Sequence, residues 1–101
     1  MNLPVTAEKL VGGVLLRSAK HDAKFWLTAA QARCASSFML AEDKTPSECV
    51  TFSAGHKSAV EIATCCDDFT IIFSLYGEIY PELVTTAQLA QLGQQIQEEL
   101  V

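Results

Sequence analysis

The sequence predicts an α+β fold: two N-terminal helices, a three-stranded antiparallel β-meander and a C-terminal amphipathic helix, all in one domain over 1–101. Three observations lead there. Apolar residues recur at helical spacing over 22–40 and again after Thr85. Residues 50–76 alternate instead and are rich in β-branched and aromatic side chains, as strands are. Between them "AEDKTPSE", 41–48, clusters charge, Thr, Ser and Pro, and so divides a helical half from a β-rich half.

Residues 7–18 are the first helix of this reading. Thr6 supplies a cap, Val5 with Leu10 a hydrophobic staple, and Leu10, Val11, Val14 and Leu15 an apolar face. Gly12–Gly13 argues the other way, because each glycine costs about 1 kcal/mol inside a helix. A strand from Lys9 to Leu16 stays open as the alternative.

The second helix runs from about Asp22 to Leu40. One stripe holds Ala23, Leu27, Ala30, Cys34 and Phe38; another holds Phe25, Ala29, Ala32, Ser36 and Met39, with Trp26 between them. Only Lys24, Thr28, Gln31 and Ala35 suit water. A helix apolar on most sides is buried on most sides. Either it is the centre of the fold or one stripe faces another subunit. The second expectation is carried forward, with Phe25, Trp26, Ala29, Ala32 and Met39 as interface residues.

In the β half, Val50, Phe52 and Ala54 share one face, as do Val60, Ile62 and Thr64 on the next strand. "AGHK", 54–57, reads as a hairpin turn in which Gly55 takes positive φ. "CDDF" reads as the next turn, since Asp bonds its own backbone there. "FTIIFSLY", 69–76, is a strand whose Ile71–Ile72–Phe73 run predicts cover on both faces, and Gly77 and Pro81 end it. The last helix is the firmest element. Thr85 and Gln88 form a capping box, Val84 and Leu89 a staple, and Leu89, Leu92, Gly93, Ile96 and Leu100 one buried stripe.

Composition bounds the function. Half the residues are hydrophobic, and net charge is −5 with pI ≈ 4.8. The seven Lys and Arg are scattered, which excludes the clustered cations a nucleic-acid binder needs. No apolar run nears the roughly 18 residues that span a membrane. The N-terminus lacks a secretory pattern, so a soluble cytoplasmic protein is expected. The four cysteines, Cys34, Cys49, Cys65 and Cys66, are expected as reduced structural thiols.

The densest chemistry is "ATCCDDFT", 63–70, with His56 upstream. Adjacent cysteines on a strand point to opposite faces, whereas zinc motifs space their thiols by two to four residues. A Cys65–His56 dyad would have to reach along nine residues of strand, about 30 Å. Asp67 and Asp68 would raise, not lower, a neighbouring thiol's pKa. The stretch is therefore a turn, and Asp67–Asp68 with Glu42–Asp43 is a solvated acidic face. Gly12–Gly13 matches no phosphate loop. No catalytic, cofactor-binding or metal-binding residue is nominated, and no cofactor is expected.

Aromatic residues remain. Phe38, Phe73, Tyr76 and Tyr80, with Trp26 nearby, are candidates to line an apolar pocket between the sheet and the second helix. In size and charge the chain resembles small acidic α+β dimers that hold an unfolded stretch of a secreted effector. That resemblance lies in class and charge and carries no residue over. The expectation is a homodimeric interaction protein (an adaptor, chaperone, antitoxin-like protein or inhibitor) with a possible protein partner, no nucleic-acid or membrane partner, and no catalysis. A small-molecule binding protein or enzyme is the alternative. A metal or cysteine enzyme using His56, Cys65 and Cys66 is the third class.

Overall fold

The computed structural model describes residues 3–41, 49–55, 57–65 and 68–100. The chain forms β1 (Val5–Leu10), β2 (Gly13–Ser18), β3 (Lys24–Thr28), α1 (Ala29–Leu40), β4 (Cys49–Ala54), β5 (Ser58–Cys65), β6 (Asp68–Leu75), β7 (Glu78–Val84) and α2 (Thr86–Leu100). β1, β2 and β3 make one antiparallel sheet, and β4 to β7 make a second, each in sequence order. Among the described residues the fold is thus α+β, with seven strands in two antiparallel sheets and two helices.

The turns explain why the strands pair as they do. Val11 and Gly12 link β1 to β2, and Gly12 takes φ 81, open to glycine without penalty. A side chain at Gly13 would collide with the Leu27 carbonyl, its Cβ lying 1.9 Å from that oxygen. The Gly12–Gly13 pair is therefore the point where three strands meet closely. Tyr76 and Gly77 link β6 to β7 with φ 53 and 87, the two positive values of a type I′ hairpin.

The core lies between the sheets and the helices. Val14, Leu16 and Leu27 come from the first sheet, Val60, Ile62, Ile71 and Phe73 from the second, and Met39, Leu89, Leu92 and Ile96 from the helices. α1 and α2 pack on each other; both rest on the first sheet, and α2 also reaches β6. They approach closely at Gly93, where an added Cβ would lie 2.9 Å from Met39 Cβ. α2 also meets β1: the Ala7 N–H donates to Gln95 Oε1 at 2.7 Å. One buried polar joint ties the sheets together. The Ser18 hydroxyl on β2 donates to the Glu82 carboxylate on β7, and both residues are buried.

Three expectations are overturned. There is no first helix: 5–18 is a hairpin, because Val5 and Ala7 with Val14, Leu16 and Ser18 bury one face at period two. The alternative, one strand from Lys9 to Leu16, does not form either, because the chain reverses at Val11 and Gly12 between β1 and β2. The helix expected from Asp22 starts only at Ala29. Lys24 to Thr28 is a strand, with Phe25 and Leu27 buried and Lys24 and Trp26 exposed. The meander has four strands, not three. Pro81 lies inside β7, where its missing N–H is tolerated because β7 is the sheet edge.

Other expectations hold. Thr85 and Gln88 cap α2 reciprocally, at 3.0 and 3.1 Å. Leu89, Leu92, Gly93 and Ile96 are its buried stripe. Gly55 takes φ 68 between β4 and β5. Residues 42–48 of the expected 41–48 linker, His56 and the expected turn at Cys66–Asp67 lie outside the described residues.

Candidate functional site

Two surfaces stand out, and both follow from strand alternation. The first is the outward face of the second sheet. Phe52, Val60, Ile62, Phe69, Ile71, Phe73 and Val84 point inward and are buried. Their neighbours point out: Cys49, Thr51 and Ser53 on β4; Ala59, Glu61 and Ala63 on β5; Asp68, Thr70, Ile72 and Ser74 on β6; Ile79, Pro81 and Leu83 on β7. Glu61 and Asp68 are the charged residues among these, both acidic. Among the described residues no element covers this face. Ile79 is 66% exposed and Leu83 62% exposed, and Ile72 pairs directly with Pro81 beside them.

The second surface is an open depression of about 550 Å³ at one end of the molecule. It lies where the β2–β3 turn meets the β6–β7 hairpin, and His21, Asp22, Lys24, Tyr76, Glu78 and Tyr80 line it. Asp22 and Tyr76 both have φ 53, an uncommon state for residues other than glycine. The Tyr80 hydroxyl donates to Glu78 at 2.6 Å, and its ring lies 5.4 Å from that of His21. The bond to Glu78, followed by partial desolvation and the carboxylate's charge, raises the Tyr80 pKa above its ordinary 10.0. Below this depression the Ser18 hydroxyl accepts the His21 N–H at 3.2 Å and donates to Glu82.

The sequence-derived residues fall in different places. Of the five interface candidates, Phe25, Ala32 and Met39 are inside the core, Ala29 is half-buried at the start of α1, and Trp26 is exposed on β3. Phe25 and Trp26 leave the helical stripe altogether, since consecutive strand residues take opposite faces. Of the four pocket candidates, Tyr76 and Tyr80 share the depression, and Phe73 is buried directly across from Tyr80. Phe38 packs half-buried against the core, away from that depression. Leu10, Val11 and Trp26 form a separate apolar patch at the tip of the β1–β2 hairpin, with Val11 99% exposed and Trp26 ring carbon Cζ2 3.7 Å from the position of a Gly12 Cβ.

Sequence reasoning missed the outward sheet face and the Ser18–Glu82 joint. The first had a signal, the alternation of Ile79, Pro81 and Leu83 with Tyr80, Glu82 and Val84. The second had none, since its residues lie 64 positions apart. Among the described residues no three His, Cys, Asp or Glu side chains gather as a metal site. No described helix is long and apolar enough to cross a membrane. No known family model matches the chain, and no curated protein is significantly similar to it.

Proposed function

We propose that the chain is a small acidic protein-interaction module of the cytoplasm that works as a homodimer and has no catalytic activity. The supporting observation is the uncovered sheet face with Ile79 and Leu83 standing in water. A large aliphatic side chain left exposed forgoes about 1.5–3 kcal/mol that burial would give. Contiguous apolar patches of this kind mark interaction sites. The hairpin tip at Leu10, Val11 and Trp26 leaves a second apolar patch for a different protein. Scattered cations and a net charge of −5 favour a protein partner over nucleic acid or an anionic membrane.

The test is solution mass by light scattering. A mass of twice the 11.0 kDa chain is expected at high concentration. A mass that stays at 11.0 kDa there overturns the reading.

Small-molecule binding is the second reading. It is favoured by Asp22, a residue of uncommon backbone conformation that faces the depression beside His21, Glu78 and Tyr80. Such conformations cluster at functional sites. A thermal-shift screen against the parent and Tyr80→Phe tests it: a stabilising compound whose effect vanishes in the variant supports this reading, and none that behaves so removes it.

A further inference from the structure

Resting on the homodimer reading, we propose that two copies join edge to edge at β4, antiparallel about a two-fold axis between their Thr51 residues, so that two four-stranded sheets become one of eight strands.

Backbone bonding selects this edge. Each sheet ends in two strands whose outer N–H and C=O groups have no neighbouring strand, and soluble proteins blunt such edges with charge, proline, short length or cover. Among the described residues three of the four edges are blunted. β1 carries Glu8 and Lys9, and α2 covers it, with Gln95 on the Ala7 N–H. β3 is five residues long and opens on Lys24. β7 holds Pro81 in its middle and Glu78 at its start. β4 has neither charge nor proline, and among the described residues its backbone bonds only to β5.

Charge and side-chain pairing fit a second copy. The chain carries 12 acidic and 7 basic residues, so copies join most readily where carboxylates stay apart. Glu61 lies one strand in from this edge, opposite Thr51. In the joined sheet the two Glu61 side chains are three strand spacings apart, about 14 Å. That exceeds the screening length of about 8 Å at physiological salt. Pairing at β7 would instead bring Glu78 into the contact.

The register follows from the pleat. Residues opposite each other in an antiparallel sheet point to one face, so a two-fold axis must set one residue against its own copy. With Thr51 in that place, Val50 of each copy lies opposite Phe52 of the other. Val50 is half-buried against the core and Phe52 points into it, so a β-branched–aromatic pair forms twice. Phe52 on the axis would set Val50 against Ala54 instead. Six residues at about 3.4 Å each give an edge of only about 20 Å, so the dimer dissociates on dilution. Ile79 and Leu83 stay open for a protein partner.

Hydrogen exchange of the parent across a dilution series, alongside sedimentation equilibrium, tests this. Amides in 49–54 are expected to exchange at least about tenfold more slowly in the concentrated sample, and those in 78–84 at one rate throughout. Thr51→Glu sets four carboxylates in one row across the joint, two new and two from Glu61. Self-association at least about tenfold weaker is expected for it, and parent-like association for Leu83→Lys. Both positions are exposed, and circular dichroism confirms that each variant folds. A dimer whose 49–54 amides gain no protection overturns the β4 joint while the homodimer reading stands. So does a dimer weakened by Leu83→Lys but not by Thr51→Glu. A parent that stays monomeric overturns both.

Discussion

Gly93→Ala separates what a helix wants from what the packing allows. In an exposed helix interior the change stabilises by about 1 kcal/mol, because glycine leaves the backbone freer in the unfolded chain. Here the new Cβ would meet Met39 Cβ at 2.9 Å, Leu40 Cγ at 3.0 Å and Leu40 Cδ2 at 3.3 Å. Ordinary carbon contacts lie at about 3.5–4.0 Å. Leu40 can rotate away. Met39 Cβ cannot, since it is fixed to the α1 backbone. α1 and α2 must therefore separate by about 0.6–1 Å. A gap of that size forfeits a quarter to a half of each dispersion contact across the interface. Overpacking of this kind costs about 1–3 kcal/mol. Set against the propensity gain, the net expected loss is about 1 kcal/mol, or about 4–8 °C in Tm for a domain of this size. Thermal and urea unfolding followed by circular dichroism measure it, with Gln94→Ala as an exposed control on the same helix. A Gly93→Ala protein as stable as the parent, or more so, would refute the close approach of the helices at that point.

Ser18→Ala leaves the buried Glu82 carboxylate without its hydroxyl donor and should cost about 1–3 kcal/mol in urea unfolding; no loss would mean that the joint does not tie the sheets. Glu78→Gln removes the carboxylate that raises Tyr80, so a tyrosine step in the ultraviolet titration should move down towards 10.0. Because the folded pKa is raised, the Tyr80–Glu78 contribution to stability is present below 10.0 and is lost as pH climbs through the raised value; a titration unchanged by the variant would contradict the bond. Tyr76→Asn places a residue suited to positive φ at the first position of the β6–β7 turn, ahead of Gly77, and should stabilise by about 0.4–1 kcal/mol, read as a higher urea midpoint.

Local chemistry was legible wherever a short segment decides its own conformation. The Thr85–Gln88 capping box, the α2 stripe and the glycine turn at Gly55 all appear as read. The same capping signature sits at Thr28 and Gln31, where both reciprocal bonds form at 3.0 and 3.2 Å. Weighed as a start signal, it would have divided strand β3 from α1. The helical stripe over 22–40 outweighed it because Phe25, Ala29, Ala32 and Met39 fit a helical period as readily as Phe25 and Leu27 fit a period of two. Pro81 misled for a related reason: a proline ends a central strand but not an edge, and edge status is a property of the sheet.

By itself, then, the sequence determined an α+β chain with a capped, one-sided C-terminal helix and a β-rich second half, since these rest on contacts among residues a few positions apart. Tertiary structure decided the rest. Whether 5–18 and 24–28 became strands depended on partners that close one hydrogen-bonded sheet across the Gly12–Gly13 crossing. The joint between Ser18 and Glu82 and the exposure of Ile79 and Leu83 depended on which sheet face the helices cover. A strand's pattern says only that its two faces differ, and the fold as a whole chooses which face meets water.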